Sequence, residues 1–576
     1  MPPSVRHARW VHAKPQAETV ACLVREAGLS PLLAALLANR GLTTPAAAAT
    51  YLGGSLDDLH DPFLMAGMKP AVDLLQSALA AGEHIRVWGD YDVDGVSGTA
   101  LLVRALGALG GNVSHYLPHR VNEGYGLNRE AIKRCARDGV RLLVTVDCGI
   151  GAPEEVALAR RLGMRVIVTD HHLPPEVLPK AEAVVNPRQP GCAYPWPDLC
   201  GAGVAFKLLD ALCRARGLPP RSAHRFLDLV ALATVADVVP LQGENRLLVK
   251  AGLPALAGTR KEGLRALMAA AGIAPERLDT YHLGFALGPR LNAAGRLHHA
   301  EDALRLLLTG DPEEAKTLAG ALDESNRRRQ EEERRILGQA QEAVESGEVD
   351  CRWAIVLADR RWHPGVVGIV ASRLAERYYR PTLLVSLQGE EGRGSGRSIP
   401  GFHLHEALWE CRDLFSHFGG HAAAAGFSLD AGRVDELRER FSAVAASRLK
   451  AEDLTPLLQV DAWPEPAALT LETAREIARM APFGTGNPAP LVGLRGVTLA
   501  ECRRVGDGTH LRLRLRAGEW EQAAIWFGFG YLADVLPPGA VVDLLCEPSL
   551  DTWNGSERLN LQVADLRADR ELPAKP

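Results

Sequence analysis

Three strand-like apolar runs early in the chain each end in acids or imidazoles, and this pattern restricts the fold more than any other feature. Ile85-Arg-Val-Trp88 leads into Gly89-Asp90-Tyr-Asp92-Val-Asp94-Gly95. Leu142-Leu-Val-Thr-Val146 leads into Asp147, and Arg165-Val-Ile-Val-Thr169 into Asp170-His171-His172. In an open parallel sheet, ligands gather outside the carboxyl ends of the strands. Acids crowded at that edge repel one another unless a cation sits between them, and hard divalent cations are the usual solution. A single Asp after a strand reads as a helix N-cap. Three strand ends carrying five Asp and a His-His pair read instead as a metal-dependent hydrolase site. Gly89 and Gly95 predict a tight turn that lets Asp90, Asp92 and Asp94 converge.

A chain of 576 residues is too long for one hydrophobic core and predicts three or four domains. Residues 1–50 read as a helical segment. Residues 51–310 alternate apolar runs with helical segments such as Thr99–Leu109 and Pro153–Leu162, which predicts a parallel α/β sheet with covered faces. Within 311–350, the stretch from Leu318 to Glu348 is rich in Glu, Arg, Gln and Ala and lacks Pro. It predicts a long exposed connecting helix, with Arg327-Arg-Arg329 on a solvated face. Residues 351–452 form a second, smaller α/β region whose Gly-rich stretch and His are expected in loops. Residues 453–576 read as a small all-β domain. There His510-Leu-Arg-Leu-Arg-Leu-Arg516 puts Leu511, Leu513 and Leu515 on one strand face and Arg512, Arg514 and Arg516 on the other. A cationic strand face on a small barrel suits tracking of a single nucleic-acid strand, and Trp520, Trp526, Phe527 and Phe529 offer rings nearby.

The net charge of −5 does not oppose nucleic-acid binding, because binding depends on local basic surface. The ten Cys are scattered without a Cys-x-x-Cys pair, which fits reduced cytoplasmic thiols and argues against a zinc ribbon or a disulfide framework. Cys148, beside Asp147, reads as a buried packing residue. The apolar stretch Pro31–Ala38 is far short of the about 20 residues that span a bilayer, so a cytoplasmic location is expected.

The ordered motifs resemble the DHH phosphoesterase superfamily, named for the step seen here as Asp170-His171-His172. Within it they resemble the RecJ family of exonucleases, which degrade single-stranded DNA from the 5′ end. Ala233-Thr-Val-Ala-Asp237-Val-Val-Pro-Leu241 is similar to the family's fourth motif, and Leu287-Gly-Pro-Arg290-Leu-Asn292-Ala-Ala-Gly-Arg296 to the signature that follows it. Gly394-Ser395-Gly-Arg397-Ser398-Ile-Pro-Gly401 and Gly419-Gly-His421-Ala-Ala-Ala-Ala-Gly426 are similar to its DHHA1-type domain. Pro482-Phe-Gly-Thr-Gly-Asn-Pro488 resembles the segment entering its C-terminal OB domain. The likeness covers residues 50–570.

The resemblance implies a parallel-sheet DHH domain, a linking helix, a DHHA1 domain and a C-terminal OB-fold barrel. It implies phosphodiester hydrolysis with two Mn2+ or Mg2+ ions, which activate water and neutralise charge on the phosphoryl group. Asp147 would bridge them, Asp90 and Asp92 would hold one, and Asp94, His171 and Asp237 the other. His172 would contact the scissile phosphate, with Asp170 orienting an imidazole. Arg120 would face the DNA, as would Arg290, Asn292 and Arg296 in a loop-like segment, and His421 would contact the substrate. Ser395, Arg397 and Ser398 would surround a phosphate, with backbone N–H groups of the Gly-rich stretch helping to cradle it. Single-stranded DNA, a single-strand-binding protein and a RecQ-type helicase are the implied partners. Two other readings are a DHH phosphodiesterase for oligoribonucleotides or cyclic dinucleotides, and a catalytically silent single-strand-binding scaffold. The β-rich residues 457–570 weigh against the first, and the filled ligand positions against the second.

Overall fold

The apolar runs form strands because Val, Ile and Leu fill both faces of a covered parallel sheet. The structure, a computed structural model, describes residues 4–119, 123–297, 300–347, 349–553 and 556–568. After a first strand β1 (Arg9–His12) come β2 (His84–Gly89), β3 (Asn112–Tyr116), β4 (Leu142–Val146), β5 (Arg165–Thr169) and β6 (Ala183–Val185). These last five form one sheet in the order β3-β2-β4-β5-β6, every neighbouring pair parallel. The chain steps from β2 to one side and returns on the other, so the topological switch point lies between β2 and β4. Those two strands deliver Asp90 and Asp147. All five residues of β4 are buried, and Val87, Val144, Val146 and Ile167 share a core with Val96, Leu101 and Phe206 of flanking helices. This sheet belongs to one compact unit, residues 54–331 with 482–488.

Three local expectations are corrected here. No tight turn carries all three acids of the first motif. A helix, Val93–Ala108, begins inside it, with Asp92 as its N-cap and Asp94 in its first turn. Gly95 lies in that turn, where a Cβ would come within 2.5 Å of the Asp90 backbone. The glycine therefore permits close approach of helix and strand, and the helix predicted from Thr99 starts six residues earlier. The segment around Arg290 and Asn292 is helical (Gly288–Leu297), preceded by a π-helical turn Leu283–Leu287. The buried Leu283, Leu287, Leu291 and Ala294 explain this, since they repeat at helical spacing.

The second unit comprises residues 1–53, 332–481 and 489–576. It shares the helix Pro312–Glu345 with the first, which begins before the predicted Leu318. Its sheet contains β7 (Ile355–Asp359), β8 (Thr382–Gln388), β9 (Glu391–Arg397), β10 (Phe415–Gly420) and β11 (Ala424–Asp430), ordered β10-β11-β9-β8-β7. The Gly-rich stretch is thus the central strand β9 rather than a loop, and its ladder partners on β8 and β11 take up its backbone groups. A Cβ on Gly394 would meet the Phe427 ring at 2.1 Å, and one on Gly396 would meet Leu383 at 2.6 Å. Here the glycines admit large side chains onto the sheet, and the expected backbone N–H cradle does not form within the strand.

β1 pairs in parallel with β12 (Leu457–Val460), so residues 1–50 are not purely helical. The closed barrel follows: β13 (Val492–Val505), β14 (His510–Ala517), β15 (Trp520–Trp526), β16 (Val541–Trp553) and β17 (Ser556–Ala568), in the order β13-β14-β15-β17-β16. Along β14, Leu511, Leu513 and Leu515 are buried in the barrel and the three Arg are exposed. Trp526 and Phe529 stack inside at 4.1 Å between centroids, whereas Phe527 is half exposed. No helix among the described residues is long and apolar enough to cross a membrane.

Candidate metal centre

The carboxyl ends of β2, β4 and β5 converge with the end of the helix Leu227–Ala236. Asp92 accepts hydrogen bonds from the N–H groups of Asp94 (2.9 Å) and Gly95 (3.2 Å), so it caps the helix while facing the cluster. Asp94 points at the start of a second helix, Gly201–Ala215. It accepts the Gly201 N–H at 2.5 Å and the Ala202 N–H at 2.7 Å, a placement the helix dipole favours. Asp147 leaves β4 in a left-handed conformation, φ 61°, a backbone cost of about 1–3 kcal/mol for a non-glycine residue. A Cβ on Gly201 would fall 2.5 Å from that of Asp147, so only glycine lets the helix start so close.

His171 Nε2 lies 3.1 Å from Asp147, 3.8 Å from Asp94 and 3.7 Å from Asp237. Two groups of ligand atoms result, each fitting within 4.8 Å: Asp90, Asp92 and Asp147, and Asp94, His171 and Asp237. Asp147 also groups with His171 and His172, which places it between the two sets. Asp170 stands behind them. It accepts the backbone N–H groups of His171 and His172 at 2.8 and 3.1 Å, that of Ile150 at 2.9 Å, and His172 Nδ1 at 2.7 Å.

Burial, reinforced by Asp92, raises Asp94 to about 6. Burial, with Asp94 and Asp92, raises Asp237 to about 9, and burial with the neighbouring acids pushes Asp147 well up. Burial and His172 lower His171 to about 3, leaving it a neutral imidazole ready to donate a lone pair. Burial opposes charge on Asp170 and His172 too, but their mutual hydrogen bond wins, lowering the first and raising the second. Asp147 Oδ1, Asp237 Oδ2 and His171 Nε2 are buried without a hydrogen-bond partner. Buried acceptors in that condition cost about 1–3 kcal/mol each. Oxygen-rich sets with one imidazole fit manganese or magnesium.

Family models match along the chain in the same order as the domains. The "DHH family, N-terminal domain" covers residues 84–234, the "DHHA1 domain" 352–447 and the "RecJ OB domain" 460–565. The chain is 42% identical over 505 residues to the single-stranded-DNA-specific exonuclease RecJ of Dickeya dadantii, covering 84% of this chain and 86% of that one. Its fold is similar to crystal structures of Thermus thermophilus RecJ. The complex with Mn2+ matches at TM-score 0.83 and 37% identity, over 98% of this chain and 80% of that one. The complex with Mg2+ matches at 0.78 and 36%, over 98% and 79%. This chain belongs to the RecJ family.

Arg120 falls outside the described residues, as does the side chain of Arg296. Arg290 directs its guanidinium to Asp323 Oδ1 at 3.0 Å and to the Ala286 carbonyl at 2.9 Å, and Asn292 accepts the Val93 N–H at 3.1 Å. Asn292 thereby holds the start of the helix that carries Asp94, while Arg290 ties its own helical segment to the helix Pro312–Glu345. Arg397 Nη1 donates to Ser395 Oγ at 3.0 Å and to the Gly396 carbonyl at 2.7 Å, and burial lowers its pKa. Among the described residues no carboxylate pairs with it. Ser398 donates to the Phe402 carbonyl at 2.6 Å and closes a local turn, while His421 is exposed. On the barrel, Arg514 is paired with Glu501 at 3.0 Å and Glu521 at 3.2 Å, acids whose cross-strand position sequence alternation did not reveal.

One residue escaped the sequence reading. Tyr125 places its hydroxyl 3.0 Å from the Asp147 carbonyl and 3.1 Å from His172 Nδ1, with its ring edge-on to the imidazole. Its signal is local: Tyr125 sits between Gly124 and Gly126, both with positive φ (78° and 80°), which turn the chain back toward the site.

Protons and cations compete for the same oxygens. Because Asp237 is raised to about 9 and Asp94 to about 6, manganese binding at neutral pH should release protons. Affinity should fall as pH drops from 9 through 6. Calorimetry in buffers of different ionisation heat measures this directly, and a heat independent of the buffer would contradict it.

Proposed function

We propose that this chain is a metal-dependent exonuclease that hydrolyses single-stranded DNA from the 5′ end to 5′-mononucleotides. The observation that carries the reading is Asp147, buried and shared between two ligand groups at the sheet's switch point. Asp90, Asp92 and Asp147 would hold one divalent cation, and Asp94, His171 and Asp237, with Asp147, the other. When bound, the cations supply a more acidic water and a counter-charge for the phosphoryl group. His172 is kept by Asp170 with its Nδ1 engaged and its basicity raised, which suits donation from Nε2 to a phosphate oxygen. Tyr125 braces the same ring. Family membership and the relatives' names support the substrate class. Single strands arise where duplexes are opened, so a RecQ-type helicase and a single-strand-binding protein fit as partners, and the scattered free thiols fit the cytoplasm.

The test is digestion of one oligonucleotide labelled at either end, as DNA and as RNA, with manganese, magnesium or EDTA. Loss of 5′ mononucleotides only with metal supports the reading, and turnover that survives chelation refutes it. In the same assay Asp147→Ala should reduce turnover more than any other ligand change, by about 100–1000-fold for an electrostatic loss of about 3–4 kcal/mol. A variant keeping a tenth of wild-type turnover would not lack a bridging ligand.

Arg397, half-buried and without a carboxylate partner among the described residues, would read the terminal phosphate together with Ser395. Arg397→Ala should narrow the kcat/KM preference for 5′-phosphorylated over 5′-hydroxyl ends by about 1.5–3 kcal/mol. Equal loss on both ends would assign it a general grip on the strand.

The barrel would bind DNA through β14. Replacing Arg512, Arg514 and Arg516 by Ala should flatten the salt dependence of binding by about 0.7 for each phosphate no longer neutralised. Arg514 already has acidic partners, so Arg512 and Arg516 should carry most of the change. An unchanged slope would leave that face without a DNA role.

A further inference from the structure

We infer that the turn Pro482-Phe-Gly-Thr-Gly-Asn-Pro488 is a positioning element for Asp237, acting on the metal centre from nearly 250 residues away in sequence. The inference rests on Asp237 as a metal ligand. Asp94 and Asp92 are held by backbone N–H groups. The Asp237 carboxylate has no such support among the described residues, and its Oδ2 is buried without a hydrogen bond. Its aim therefore depends on the backbone around it. Asp237 ends a helix, and the next residue, Val238, is β-branched, exposed and left-handed at φ 62°. Such a link needs anchors on both sides.

The turn supplies them. Downstream of Asp237, the Leu241 N–H donates to the Thr485 carbonyl at 2.7 Å, and Gln242 Nε2 to that of Gly486 at 2.6 Å. On the helix side of Asp237 the support comes through a later segment, where Thr280 Oγ1 donates to the Phe483 carbonyl at 2.7 Å. Thr280 opens the helical run whose Gly288 packs on Ala236, where a Cβ would lie 3.3 Å from the Ala236 methyl. The turn is itself fixed: Gly484 and Asn487 exchange backbone hydrogen bonds, and Asn487 Nδ2 donates to the Pro482 carbonyl at 2.8 Å. Gly486 has φ 71°, and a Cβ there would stand 3.0 Å from Pro240.

Outer supports of a metal ligand commonly change affinity about 10–100-fold when lost. Two full-length variants test the inference, Gly486→Val, which pushes on Pro240, and the double change Thr280→Val with Gln242→Met, which removes two anchors. Calorimetry with manganese should show affinity weakened about 10–100-fold. Single-stranded DNA affinity in EDTA should stay near wild type, as should the melting temperature of the double variant, whereas Gly486→Val should melt lower because a β-branched residue is strained at positive φ. Excess manganese should restore turnover to both. Thr280→Ser, which keeps the hydroxyl, should bind manganese as wild type does. Folded variants with unchanged manganese affinity would overturn the inference, and if Gly486→Val does not fold, the double variant decides. Wild-type protein that binds no manganese would overturn the metal reading of Asp237 itself, and this inference with it.

Discussion

Buried like charges govern this molecule. Two carboxylates about 4 Å apart repel by about 4 kcal/mol at an effective dielectric of about 20, and here Asp90, Asp94 and Asp147 are almost fully buried beside Asp92 and Asp237. The fold keeps them together by rigid means. Parallel strands end in register, the first turns of two helices face Asp92 and Asp94, and glycines at 95 and 201 bring those turns within reach of strand-end backbone. Neutral His171 adds no charge of its own. The arrangement is poised for cations, which turn the repulsion into coordination.

Much of this was legible in the sequence because the relevant signals are local. Apolar runs ending in Asp mark the sheet edge, and strict Leu-Arg alternation marks β14 as a barrel strand. Legibility failed where a tertiary neighbour decides the conformation. The glycines of β9 read as a loop, since nothing nearby in sequence announces the Phe427 ring and the Leu side chains that need their space. The segment around Arg290 read as loop-like, although its helical apolar spacing continues through Leu291 and Ala294. Motif order brought the ligand candidates together, but the partners that qualify them were invisible. Asp323 occupies Arg290, Val93 occupies Asn292, and Glu501 and Glu521 neutralise Arg514. Each partner lies on another element, and nothing in the spacing of the motif points to it.

The same distinction separates the two kinds of support in the metal centre. Asp92 is fixed by N–H groups of the helix start it caps and Asp170 by those of its neighbours His171 and His172, whereas Asp94 is held by the start of the separate helix Gly201–Ala215. Just after Asp237, Leu241 and Gln242 bond instead to the turn of residues 482–488. Tyr125 is intermediate, close in sequence to no ligand yet bonded to the carbonyl of Asp147. The hydrogen bonds around the clustered acids thus join distant stretches of the first unit, including the short return of residues 482–488.

Manganese stoichiometry tests the central claim most directly. Titration of the full chain followed by electron paramagnetic resonance should give two manganese ions per chain with a spin-coupled signal, because Asp147 lies in reach of both ligand groups. Asp147→Ala should abolish the coupling. A single uncoupled ion, or no tightly bound ion at all, would contradict the account and leave the clustered carboxylates without a physical explanation.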